Sequence, residues 1–131
     1  QPIIYEDGLQ TRDFISVHDI VDSNLLAMEK NAANYEIFNV GTGNPITIRH
    51  IAETVAQSYG KDIKPNITYK FRKGDIRHCF ADTTKIRKKL GFKLKMSFEE
   101  GMKELIEWSK NQESVDKFNE ATKYLKKHDL I

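Results

Sequence analysis

The sequence predicts an α/β protein assembled from an incomplete set of βαβ units. Short β-branched and aromatic runs alternate along the chain with segments whose apolar residues recur at helical spacing. Glycine, aspartate and asparagine punctuate the junctions. The 131 residues are 39% hydrophobic and 31% charged, which suits one soluble domain with a small core. The chain opens on Gln1-Pro2-Ile3-Ile4-Tyr5, already strand-like, so it is expected to be a piece of something larger.

Pro2 to Tyr5 is a short strand, and Glu6-Asp7-Gly8 is a turn in which Asp-Gly favours positive φ. Asp13 to Val17 is a second strand. Asp19 then caps a helix whose inner face is Ile20, Val21, Asn24, Leu25 and Met28. Tyr35 to Val40 is a third strand, running into the sharp loop Gly41-Thr42-Gly43-Asn44-Pro45. Thr47 caps a helix with Ile48, Ile51, Ala52, Val55, Ala56 and Tyr59 on one face, and Gly60 ends it.

Asn66 to Phe71 alternates like a half-buried strand. Asp82 to Leu90 is a short helix stopped by Gly91. Ser97 with Glu100 is a capping box opening a helix whose inner face is Phe98, Met102, Leu105 and Ile106, with Trp108 at its edge. The last helix, about Ser114 to Lys127, has few inward residues and makes 111–131 a peripheral segment of a single domain or fragment spanning 1–131.

A net charge of +2 generates no field strong enough for nucleic acid or an anionic membrane. The one cysteine, Cys79, excludes an internal disulfide and a cysteine-based zinc site. There is no apolar run of membrane-spanning length and no leader pattern, so the expected location is the cytoplasm. Gly41-Thr42-Gly43 lacks the third glycine and the following acidic residue of a dinucleotide loop, and reads as a structural turn. Asp82 is accounted for by capping, His78 and Cys79 lack metal-binding partners, and the basic run Lys85, Arg87, Lys88, Lys89, Lys93 and Lys95 reads as a solvated helix face.

Arg12 at a strand entrance and Arg72 at a strand exit stand on stiff backbone, where guanidinium groups can fork onto phosphate oxygens. The competing reading pairs Arg12 with Asp13 or Asp7, and Arg72 with Asp75, as surface ion pairs contributing roughly 0 to 1 kcal/mol each.

Three runs narrow this choice: EDGLQTRDFISVHDIVDSNLLAME over Glu6–Glu29, FNVGTG over Phe38–Gly43, and FRKGDIRHCFADTTKIRKKLGF over Phe71–Phe92. Together and in this order they closely resemble the C-terminal part of the extended short-chain dehydrogenases that epimerise or dehydrate nucleotide sugars, of UDP-glucose 4-epimerase or dTDP-rhamnose 4-epimerase type. The resemblance implies an incomplete extended short-chain dehydrogenase fold: the substrate-binding region, the last Rossmann-type strand and helices, and no N-terminal NAD-binding part. It also implies that Arg12 and Arg72 contact the diphosphate of a UDP- or dTDP-sugar and that Asp75 takes a ribose hydroxyl. By the same resemblance Ile3, Ile4 and Tyr5, with Pro2, border the pyrimidine ring.

NAD is implied for the intact enzyme and is not expected to bind this chain alone. The glycine loop and the Tyr-x-x-x-Lys pair that the family uses for catalysis have no counterpart here. Tyr69 to Lys73 has the spacing but lies on a predicted strand, where the two side chains cannot share a helical face. Two readings follow: a portion of an NAD-dependent 4-epimerase, or of a 4,6-dehydratase, that inverts or dehydrates the sugar when joined to its N-terminal half; or a catalytically silent binding or assembly module with a vestigial clamp. An exposed sheet edge at Tyr35 to Val40 implies either a dimer or a rearrangement of these elements.

Overall fold

The computed structural model describes residues 1–130 and is α/β. Its strands are β1 (Ile3–Ile4), β2 (Thr11–Asp13), β3 (Pro45–Thr47) and β4 (Asn66–Ile67). The helices are α1 (Val17–Glu29), α2 (Ile48–Ser58), α3 (Thr84–Leu90), α4 (Phe98–Ser109) and α5 (Phe118–Lys127), with a short 3₁₀ turn at Asn31–Ala33. The chain divides into two compact units: residues 1–10, 47–77 and 105–131 in the first, residues 11–46 and 78–104 in the second.

In the first unit β1 and β4 run parallel, with Ile3 opposite Asn66 and Ile4 opposite Ile67. The ladder extends past both strands, through Asn66 N–H to the Pro2 carbonyl (2.8 Å) and Thr68 N–H to the Ile4 carbonyl (2.9 Å). Ile4 is buried. The alternation expected over Asn66 to Phe71 stops early because Tyr69 takes φ +56°, which turns the chain away from the ladder. α2 forms as its period demands, with Thr47 Oγ1 accepting from His50 N–H, Ile51, Ala52, Val55 and Ala56 half-buried, and Gly60 at φ +64°.

The second unit is built around Ile86, Leu90 and Phe92, with Ile15, Leu26, Ala33, Phe38, Val40 and Leu94 packed on them. β2 and β3 pair, and Thr11 forms a further parallel bridge with His78. Gly91 closes α3 in the left-handed region, its N–H returning to the Arg87 carbonyl. The capping box at α4 is complete: Glu100 N–H donates to Ser97 Oγ, and Ser97 N–H donates to the Glu100 carboxylate.

Other elements differ from the sequence expectation as well: Pro45–Thr47 is a strand rather than the end of a loop, and the last helix starts at Phe118 rather than near Ser114. The second strand covers Thr11–Asp13 rather than Asp13 to Val17, because Ser16 accepts from His18 N–H and starts α1 three residues before Asp19. α1 also turns its other face inward. Asp19 and Ser23 are buried and Leu26 packs on the core, while Val21, Leu25 and Met28 are exposed. Asp19 Oδ1 accepts from Lys95 N–H, which holds that face down. Lastly, Tyr35 to Val40 forms no strand. A strand exists only against a neighbour; here the segment is held instead by side chains, with Glu36 bridging Lys85 and Lys89 and the Ile37 carbonyl accepting from Lys85 Nζ at 2.7 Å. Tyr35 and Ile37 stand in solvent.

Candidate functional site

The first unit gathers Tyr5, Arg72 and Asp75. Arg72, Lys73, Gly74 and Asp75 form a reverse turn in which Asp75 N–H reaches the Arg72 carbonyl (3.0 Å) and Gly74 takes φ +85°. Positive φ at the third position is what a type II turn requires, and glycine adopts it without a Cβ penalty. The turn folds the Arg72 side chain over its own carboxylate: Nε and Nη2 donate to Asp75 Oδ2 at 3.1 and 2.8 Å. The same guanidinium lies 5.6 Å from the centre of the Tyr5 ring, within cation–π range. Arg72 is thus held between a carboxylate and an aromatic face, while its Nη1 edge has no acceptor among the described residues.

β1 sets the shelf beneath. Its Pro2 and Ile4 carbonyls turn to β4, and the Tyr5 carbonyl accepts from Gln10 Nε2 (2.9 Å). The period of two in a strand leaves the Ile3 N–H and carbonyl on the opposite edge.

Beside the turn lies a cleft of about 470 Å³ lined by Glu6, Asp7, Tyr69, Phe71, Asp75 and Arg77. Arg77 grips the Glu6–Asp7 turn: its two Nη atoms donate to the two Asp7 oxygens at 2.8 and 2.7 Å, and Nη1 also reaches Glu6 at 2.5 Å. This bidentate contact, helped by Leu9 N–H, holds the Asp7 carboxyl down at about 2 and raises the Arg77 guanidinium. Sequence reasoning missed Arg77. Nothing local marks it, because its partners lie about 70 positions away.

Arg12 belongs to the second unit, where its Nη1 donates to the Thr11 carbonyl (2.8 Å). The neighbouring Asp13 carboxylate collects Thr42 N–H (2.9 Å), Thr42 Oγ1 (2.6 Å), Gly43 N–H (3.0 Å) and Ala81 N–H (3.1 Å). Burial works to raise its pKa, yet the four donors prevail and lower it. A Cβ on Gly41 would lie 2.4 Å from Asp13 Oδ2, so the loop closes only with glycine there. The Thr42 and Gly43 N–H groups that a dinucleotide phosphate would need are therefore spent on Asp13. This loop does not fit NAD, and its reading as a structural turn stands.

Asp82 Oδ1 accepts from Thr84 N–H, an Asx turn one residue before the N-cap, Thr83, whose own side chain makes no cap bond. The basic run corrects its expectation of simple solvation: Lys85 and Lys89 bind Glu36, Arg87 donates to the Thr42 carbonyl (3.0 Å), and Lys95 pairs with Asp22. These cations fasten loops that have no ladder of their own. Cys79 is exposed, with its N–H donating to the Thr11 carbonyl. Among the described residues no His, Cys, Asp and Glu group could hold a metal, and no helix is long and apolar enough to cross a membrane.

The fold is a partial short-chain dehydrogenase fold. A family model described as GDP-mannose 4,6 dehydratase matches residues 1–105. The chain belongs to the NAD-dependent sugar epimerase/dehydratase family of extended short-chain dehydrogenases. It is 34% identical over 105 residues to a dTDP-L-rhamnose 4-epimerase of Burkholderia thailandensis, covering 80% of this chain and 29% of that protein. A UDP-glucose 4-epimerase of Thermotoga maritima, solved with UDP-glucose, superimposes with a TM-score of 0.77 at 39% identity, over 84% of this chain and 35% of the other. A UDP-glucuronic acid 4-epimerase of Bacillus cereus, solved with UDP-glucuronic acid and NAD, gives a TM-score of 0.75 at 25% identity, over 84% and 35%. The chain spans about a third of the length of the relatives it matches.

Proposed function

We propose that this chain is the nucleotide-sugar-binding portion of an NAD-dependent 4-epimerase that inverts C4 of a UDP- or dTDP-sugar through a 4-keto intermediate. The observation that carries the reading is the Tyr5–Arg72–Asp75 assembly on a glycine turn, inside a sequence pattern whose solved relatives include one holding UDP-glucose. Arg72 is poised for a phosphate through its Nη1 edge and can exchange Asp75 for a second phosphate oxygen. Asp75, released, accepts from a ribose hydroxyl. The Ile3 backbone supplies a donor and an acceptor to the polar edge of a pyrimidine, with Ile4 and Tyr5 forming the wall behind it. Arg12, launched from β2, is the second phosphate ligand by family resemblance.

NAD is the cofactor of the whole enzyme and is held by residues outside this chain, as is the proton-transferring pair. Tyr69 cannot serve in that pair, since its φ of +56° and the turn at Lys73 take the two residues off any common helix face. The partner of this portion is the NAD-binding half. The apolar stripe of α1, with Val17 66%, Leu25 47% and Met28 83% exposed, supports a surface made to be covered.

Titration calorimetry on the chain tests the binding claim. UDP binds the wild type, and Arg72→Ala weakens it at least ten-fold through loss of a charge-assisted contact of about 1.5–3 kcal/mol. Equal heats from wild type and variant would reject the assignment.

A further inference from the structure

We propose that helix α5, through the chain reversal at Asp129, is a positioning element for the Arg72 turn, bracing it by a backbone hydrogen bond to Lys73. The inference rests on the nucleotide-binding reading above and concerns a segment that lies beyond the family match, which ends at residue 105.

α5 has little to hold it by packing, since only Thr122 and Leu125 of its inner face are half-buried. Its C-terminus is nonetheless elaborately closed. His128 N–H returns to the Tyr124 carbonyl (3.2 Å), Asp129 N–H to Lys126 (3.2 Å) and Leu130 N–H to Leu125 (3.0 Å). Asp129 takes φ +51°, a left-handed conformation that aspartate tolerates better than most residues. The result is a Schellman-like reversal that swings the Leu130 carbonyl off the helix axis. That carbonyl accepts from Lys73 N–H at 2.8 Å, within the same unit.

Lys73 is the second residue of the turn that carries Arg72. A type II turn closes its own bond between the first and fourth residues and leaves the second N–H unused. The turn needs an outside anchor. Residues 71 to 80 are all exposed and Gly74 adds backbone freedom, so an unbraced turn samples many conformations that misdirect the guanidinium. A ligand that must order the turn binds more weakly than one that meets it already ordered. The Leu130 carbonyl supplies that order, which gives a weakly packed helix a task.

Two variants of the whole chain separate the brace from the ligand. Leu125→Ala loosens α5 without touching the proposed nucleotide contacts. Lys73→Pro removes the N–H donor, while proline is well suited to the second position of the turn. Amide hydrogen exchange and UDP calorimetry are read together. The expected result is a Lys73 amide protected in the wild type and unprotected in Leu125→Ala, with UDP binding in that variant weakened roughly five-fold. In the Lys73→Pro background, Leu125→Ala has no further effect on affinity. The brace is overturned if the Lys73 amide exchanges equally fast in wild type and Leu125→Ala, or if Leu125→Ala weakens UDP equally with and without Lys73→Pro. A wild type that binds no UDP but loses Lys73 protection in Leu125→Ala rejects the nucleotide reading and supports the hold of α5 on the turn.

Discussion

Arg72 and Arg77 stand five positions apart and have different roles because their carboxylates differ in distance along the chain. Arg72 meets Asp75 inside one turn, a local ion pair that a phosphate can displace. Arg77 meets Asp7 with two parallel bonds and Glu6 with a third, which commits it to the turn rather than to a ligand. The sign of the pH effect follows from the depressed Asp7 carboxyl. A carboxyl ionised down to about 2 in the folded chain, against 3.8 unperturbed, stabilises the fold above pH 4 and loses that contribution as pH falls through about 2. Carboxyl titration followed by NMR should show the Asp7 midpoint near 2 in the wild type and a return towards 3.8 in Arg77→Ala. A midpoint unmoved by the substitution would remove Arg77 from its role. Asp13 makes a related point. Its carboxylate organises Thr42, Gly43 and Ala81, which lie 29, 30 and 68 positions along the chain.

Elements whose ends are set by local chemistry form where their residues indicate. Thr47 and Gly60 bound α2, Gly91 ends α3, and Ser97 with Glu100 opens α4, because each contact spans three or four residues. Ser97→Ala should lower stability by about 1 kcal/mol and the melting temperature by a few degrees, with Ser97→Asp restoring most of it. A melting curve unchanged in Ser97→Ala would show that α4 is held by packing alone. The strands were less legible. Tyr35 to Val40 has the composition of a strand but is tied down by Lys85 and Lys89, and composition cannot tell whether a hydrogen-bonding neighbour is at hand. α1 shows the same limit in a helix: its apolar stripe was legible, yet Asp19, Ser23 and Leu26 face the core of this unit.

At the scale of the molecule, that uncovered stripe agrees with a chain spanning about a third of its relatives' length. Light scattering at high concentration should give a mass above that of one chain, and Leu25→Glu with Met28→Glu should return it to one chain; a wild type that stays at one chain's mass would count against the stripe as a contact surface. By itself the sequence determined the α/β class, the caps that open α2 and α4, the glycine turns and the family, since these rest on residues within a few positions of one another or on motifs read in order. Only the tertiary structure decided where each carboxylate finds its donors: Asp7 at Arg77, Glu36 at Lys85 and Lys89, Asp13 at the Ala81 N–H. Such contacts join segments tens of residues apart, and each must outweigh the entropy of closing a long loop. That balance is struck by packing across the folded unit and leaves no mark in local spacing.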